Sequence, residues 1–133
     1  MSANLDLVRS IFAEWERGDY SSAEWADPEI ECVQVDGPAP GRWTGLAEMA
    51  VATRGWLSTW EDFRIEADEF RELDDERVLV FGHYSGQGKT SGLEIGQVRT
   101  TATTLLNIRD GKVVRLATYW DRDRALADLG LEG

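Results

Sequence analysis

The chain has 133 residues, a formal net charge of −11, six tryptophans, one histidine and one cysteine. That length makes one domain, residues 1–133, with room for a real core. The negative balance argues against nucleic acid and against anionic membrane surfaces, both of which need basic patches. Cys32 stands alone, so no intrachain disulfide can form and a reducing, cytoplasmic setting is expected. No apolar run has the length of a signal peptide or a membrane span. With a single histidine and no Cys/His cluster, no metal or other cofactor is expected.

Residues 4 to 17 carry Leu5, Val8, Ile11, Phe12 and Trp15 at helical spacing, with Gly18 as a stop. Asp19-Tyr20-Ser21-Ser22 then offers a cap for a short helix through Trp25, ended by Pro28. Residues 29 to 35 alternate as a first strand, and 37 to 41 form a Gly/Pro loop. A second helix is expected from a Thr44 cap to about Trp60, with Leu46, Met49, Trp56 and Trp60 on one face. Gly55 inside it suggests a close approach, since glycine there otherwise costs about 1 kcal/mol. Phe63, Ile65 and Ala67 alternate, and then Phe70 and Leu73 fall out of step, which predicts a β-bulge. Asp74-Asp75-Glu76 is a turn. Residues 78 to 85 form a strand with Val78, Val80 and Tyr84 on one face and Leu79, Phe81 and His83 on the other. A glycine-rich connection leads to a hairpin over 97–121, closed by Asp110-Gly111 in a type I′ turn. A two-residue loop there pairs Leu105 with Leu116, Thr103 with Thr118 and Thr101 with Trp120. Residues 121 to 129 form a closing helix ended by Gly130. Helices first and antiparallel strands after make an α+β pattern. One bulge bending the sheet around the long helix encloses a cone-shaped space.

The order of these elements resembles the SnoaL-like branch of the nuclear transport factor 2-like (NTF2-like) superfamily. The residues that carry the resemblance are Gly18-Asp19, Trp25-Ala26-Asp27-Pro28, Gly41-Arg42-Trp43-Thr44-Gly45, GQGKTSGLE at 86–94, NIRDGKVVRL at 107–116 and YWDRDRALADLGL at 119–131. It implies a cone-shaped α+β barrel, a bent, antiparallel-rich sheet wrapped around a long helix, with a central pocket. It also implies a homodimer through the open sheet face. By the same resemblance the pocket wall of the hairpin is the face with Arg99, Thr101, Thr103, Leu116, Thr118 and Trp120. The departures disfavour two chemistries. Steroid isomerases need titratable groups where this chain has Ile11, Val33 and Thr103 or Thr104. Epoxide hydrolases of the limonene type need carboxylates where Thr101 and Thr118 stand, although Arg99 could serve as the arginine.

The candidate site therefore consists of His83 as acid/base and Trp43, Trp56, Phe81, Arg99, Thr101, Thr103, Leu116, Thr118 and Trp120 as ligand wall. Each has a plainer reading. His83 reads equally as a satisfied strand histidine, Arg99 as a strand-end charge, the tryptophans as core or dimer contacts, and the threonines as β-formers. Asp36 reads as a turn cap or as a base at the mouth of the cone, Asp121 as a helix cap, and Cys32 as a small buried apolar residue. Two functions follow from this set. One is a small-molecule binding protein for an apolar or polyketide-like ligand. The alternative is an acid–base enzyme of isomerase, cyclase or hydrolase type that uses His83.

Overall fold

A computed structural model of the chain describes residues 3–20, 24–36, 40–58, 60–88 and 98–131, with the backbone alone for 60–62, 86–88 and 98–100. The order is α1 (Ala3–Glu16), β1 (Ala26–Gln34), β2 (Gly41–Thr44), α2 (Leu46–Ser58), β3 (Trp60–Glu72), β4 (Arg77–Gly88), β5 (Val98–Arg109), β6 (Lys112–Tyr119) and α3 (Arg122–Leu129). Six strands form one sheet in the order β2-β1-β6-β5-β4-β3. Only β1 and β6 run parallel; the other pairs are antiparallel. The expected α+β class and antiparallel-rich sheet hold. Among the described residues the expected barrel does not close: β2 and β3 are the edges of an open sheet. Among the described residues no helix is long and apolar enough to cross a membrane.

The bulge expected after Ala67 is present. The β3–β4 register shifts between Ala67 and Glu69, and again between Glu61 and Arg64. Gly82 sits opposite Ala67, and a Cβ built on it would lie 2.3 Å from the Glu66 carbonyl oxygen. The bulge brings the two backbones so close that no side chain fits between them. The turn at Asp110-Gly111 also forms as expected, with φ of 53° and 75°.

Several boundaries differ from the sequence reading. The described flanks of the expected short helix, Glu24 and Trp25, form a turn, and 21–23 lie outside the described residues. Pro28 lies inside β1, in the stretch between Ala26 and Glu31 where pairing with β6 is irregular; a residue without an N–H is tolerated at such a break. The short strand β2 carries no alternation long enough to reveal it. The second helix spans Leu46–Ser58, not Thr44 to Trp60. Thr44 ends β2, its N–H is accepted by the Glu48 carboxylate at 3.2 Å, and the first turn of α2 closes from Met49 N–H to the Gly45 carbonyl. Gly55 meets no close neighbour: a Cβ there would have nothing within 4 Å.

Two apolar clusters lie on opposite faces of the sheet. On one face α1 buries Val8, Ile11 and Phe12 to 2% exposure or less against Val78, Val80, Leu106, Ile108 and Val113. Each such side chain contributes on the order of 1.5–3 kcal/mol. On the other face α3 buries Ala125 and Leu126 against Leu79, Phe81, Leu105, Ala117 and Tyr119. The helix has an N-cap at Asp121, whose side chain accepts the N–H groups of Asp123 and Arg124, and a left-handed C-cap at Gly130.

Candidate functional site

The face under α1 and α2 gathers aromatic rings from six parts of the chain. Trp15 comes from α1, Tyr20 from the segment after it, Trp56 from α2, Phe63 from β3, Tyr84 from β4 and Trp120 from the end of β6. Trp56 meets Trp120 at 5.9 Å between ring centroids and 82° between planes, and Phe63 at 5.8 Å and 86°. Tyr84 lies 5.2 Å from Phe63 and 6.1 Å from Trp120. Tyr20 joins through Phe63 at 6.3 Å and Trp15 at 6.5 Å. The contacts of Trp56 with Phe63 and of Trp120 with Trp56 and Tyr84 are edge-to-face, which suits the ring quadrupoles, whereas Tyr20 stacks on Trp15 and the others are tilted. Although they sit between helices and sheet, Trp56, Phe63, Tyr84 and Trp120 are only half-buried.

Polar groups within this cluster are few and uncharged. The Tyr84 phenol shares a hydrogen bond with Thr118, and burial raises its pKa well above the ordinary tyrosine value. Burial also raises Tyr20. Both hydroxyls therefore stay protonated at neutral pH. Cys32, next to Leu116 in the sheet, is pushed up to about 11 by burial and by the charge of Glu31, so it is a thiol and a poor nucleophile. Two polar atoms of this cluster, the Tyr20 hydroxyl and the Trp120 indole Nε1, are buried with no hydrogen-bond partner among the described residues. A buried orphan of this kind costs about 1–3 kcal/mol.

The ligand-wall residues expected on one face divide between two. Leu116, Thr118, Trp120 and Trp56 lie on the aromatic face. Phe81, His83, Thr101 and Thr103 lie on the α3 face, since Phe81 pairs with Thr103, His83 with Thr101, and Thr103 with Tyr119. The physical reason is a second bulge. Ile108 pairs with Val113 as the two-residue turn requires, but Asn107 then pairs with Arg115, so Val114 is the extra residue. A one-residue slip exchanges the faces of everything beyond it. Thr103 therefore faces Tyr119 and not Thr118, and Thr104 takes the place opposite Thr118. Trp43 pairs with Cys32, but its ring folds back over Gly41, whose Cβ would lie 3.0 Å from Cη2. The Arg99 side chain lies outside the described residues.

His83 is held by carboxylates. Its Nδ1 lies 3.0 Å from Asp68 Oδ2 and its Nε2 3.4 Å from Glu66 Oε2, with the side chain 14% exposed. The bulge in β3 supplies both acids, since Glu66 pairs with His83 and Asp68 is the extra residue between Ala67 and Glu69. On the same face the guanidinium groups of Arg71 and Arg122 stand 4.9 and 4.1 Å from the centroid of the Phe81 ring. Among the described residues no group of three or more His, Cys, Asp or Glu side chains is arranged to hold a metal ion.

The sequence reading passed over Tyr20, Phe63 and Tyr84 as site residues. The strand parity that grouped Tyr84 with Val78 and Val80 was legible, yet nothing marked that face of β4 as the one beneath the helices.

No family model matches the chain, and no curated protein does. Solved structures do resemble it. An NTF2-like protein from Burkholderia thailandensis E264 aligns over the whole of both chains with a TM-score of 0.79 at 19% identity. TerC, co-crystallised with polyporic acid, aligns over 96% of this chain and 98% of its own, with a TM-score of 0.74 at 22% identity. A protein from Jannaschia sp. CCS1 named a putative SnoaL-like polyketide cyclase aligns over 98% of this chain and 94% of its own, with a TM-score of 0.74 at 13% identity. With this sheet order, these helices and these neighbours, the chain has the NTF2-like fold.

Proposed function

We propose that this protein binds a small, flat, largely apolar molecule of polyketide-like character among the aromatic rings beneath α1 and α2. The observation that carries the reading is the pair of orphaned polar atoms, Tyr20 hydroxyl and Trp120 Nε1, set in that half-buried cluster. An indole N–H only donates and a phenol both donates and accepts. A ligand oxygen meeting the indole would remove a cost that the protein otherwise bears. The reading is supported by the fold it shares with TerC, co-crystallised with polyporic acid, and with the Jannaschia protein named a putative SnoaL-like polyketide cyclase.

The acid–base alternative draws less support. It needs His83 near the ligand, and His83 lies across the sheet from the rings, between Glu66 and Asp68. Tyr20, Tyr84 and Cys32 on the aromatic face are held protonated, and the Asp36 carboxylate beside Trp120 is engaged by the Trp120 and Asp121 N–H groups, an arrangement that suits hydrogen bonding to a bound molecule better than proton abstraction.

The test is titration with the neutral probe N-phenyl-1-naphthylamine and with polyporic acid. Saturable quenching of tryptophan fluorescence and a rise in melting temperature are expected in the native chain. Trp120→Ala should abolish both. If neither compound quenches or stabilises the native chain, or if Trp120→Ala binds as well, the site is not there.

A further inference from the structure

The candidate site depends on where the Trp120 indole points, and Trp120 stands just past the end of β6, where the regular ladder stops. The parallel pairing of β1 with β6 continues to the bond from Val35 N–H to the Thr118 carbonyl, at 3.0 Å. The next N–H available on that edge, that of Trp120, is accepted by a side chain, Asp36 Oδ1. The other oxygen of the same carboxylate accepts the Asp121 N–H at 3.3 Å. From the opposite side the Thr101 hydroxyl donates to the Trp120 carbonyl at 2.8 Å. Both main-chain polar groups of Trp120 are thus held by side chains, one after β1 and one on β5. Charge-assisted bonds to a carboxylate are the stronger kind.

We propose that Asp36 and Thr101 are positioning residues of the binding site. They clamp the Trp120 backbone so that its indole already stands against Trp56 and Tyr84 before any ligand arrives. The inference rests on the reading of the aromatic cluster as a ligand site, and it assigns affinity to two residues that act through the Trp120 backbone. A wall fixed in advance spares the ligand the cost of ordering it.

The experiment follows the six tryptophan indole N–H signals in a 15N-correlated NMR spectrum of the full chain, with Trp120 assigned through Trp120→Phe. Asp36→Asn, which weakens the acceptor, and Thr101→Val, which removes the donor at constant shape, should each shift or broaden the Trp120 signal. Arg122→Ala loosens α3 on the other face and should leave that signal in place. Affinity for N-phenyl-1-naphthylamine should fall about threefold in either clamp variant and about tenfold in the double variant. The proposal is overturned if the Trp120 signal is unmoved in both clamp variants, or if Arg122→Ala moves it as far. Failure of the native chain to bind the probe would instead remove the ligand reading, while the indole signal still decides whether the clamp operates.

Discussion

The two faces of one sheet are built from the same strands and solve opposite problems. On the α3 face charge is met by charge or by a ring. His83 stands between Glu66 and Asp68, Arg71 binds Glu69 at 2.9 Å, and two guanidinium groups flank Phe81. On the α1/α2 face β4 and β5 turn Val80, Tyr84, Thr104 and Leu106 inward, and charge enters from α1, where Arg9 stands 5.6 Å from the centroid of the Phe70 ring and Glu16 accepts the Ala67 N–H at 3.0 Å. That face nonetheless keeps two buried polar atoms unpartnered and several large rings half-exposed. Unpartnered polar atoms are found on both faces, since Asn107 Oδ1 on the α3 side of β5 is a third among the described residues. What sets the second face apart is that its two sit among half-buried rings.

The largest expected effect comes from the joint the two faces share. Gly82→Ala places a methyl group 2.3 Å from the Glu66 carbonyl oxygen, and backbone cannot step aside as a flexible side chain can. The bulge must open, which disturbs the acids around His83 on one face and the seating of Tyr84 on the other. A loss of about 3 kcal/mol or more in urea unfolding is expected. A loss below about 1 kcal/mol would mean that the two strands are not in fact so close.

Next is Tyr84→Phe, which keeps the ring and removes the hydroxyl bonded to Thr118. At neutral pH the Thr118 hydroxyl loses that partner while buried, for a cost of about 1 kcal/mol. The pH dependence sharpens the comparison. The folded pKa of Tyr84 is raised above its ordinary value of 10.0. The unfolded chain therefore releases this proton first, and stability falls as pH rises from 10 towards the folded value. Cys32 acts with the same sign between its ordinary value of 9.0 and about 11. Tyr84→Phe should make the alkaline decline in urea midpoint shallower. An unchanged slope would show that Tyr84 is not the buried, neutral phenol that its place among the rings implies.

How much of this was legible in the sequence follows from the period of each signal. α1, the β3 bulge, the Asp110-Gly111 turn and the capped α3 were readable because each rests on local chemistry or on a parity that repeats several times. The bulge at Val114 was not. Val113, Val114 and Leu116 suit either face, so the one-residue slip left no mark, and it exchanged the faces of half the expected site. The aromatic cluster was hidden for a different reason. Its rings come from Trp15 to Trp120, and nothing short of the fold brings Tyr20 and Trp120 together. Trp56 and Trp120 were singled out because tryptophan is conspicuous, whereas Tyr84 was read as one more apolar strand residue.

A smaller effect isolates the α3 face. Arg122 stands 4.1 Å from the centroid of the Phe81 ring, and Arg122→Ala should cost about 0.5–1 kcal/mol through that contact. Probe binding should stay within about twofold of the native value, because the contact lies across the sheet from the rings. A tenfold loss of binding would show that the faces are coupled through β4.

His83→Gln is the smallest expected change and the sharpest question. Glutamine retains a donor for one of the two acids, and the partners are mostly exposed, with Glu66 and Asp68 side chains at 60% and 58%. Exposed pairs contribute little, about 0–1 kcal/mol, so the urea midpoint should hardly move. Binding of N-phenyl-1-naphthylamine should not change, since no path from the aromatic cluster reaches the ring nitrogens except through the sheet. The outcome that would reverse the assignment of faces is a variant of native stability that has lost the probe. In that case the ligand lies with His83, and the acid–base reading, which uses His83, becomes the stronger one.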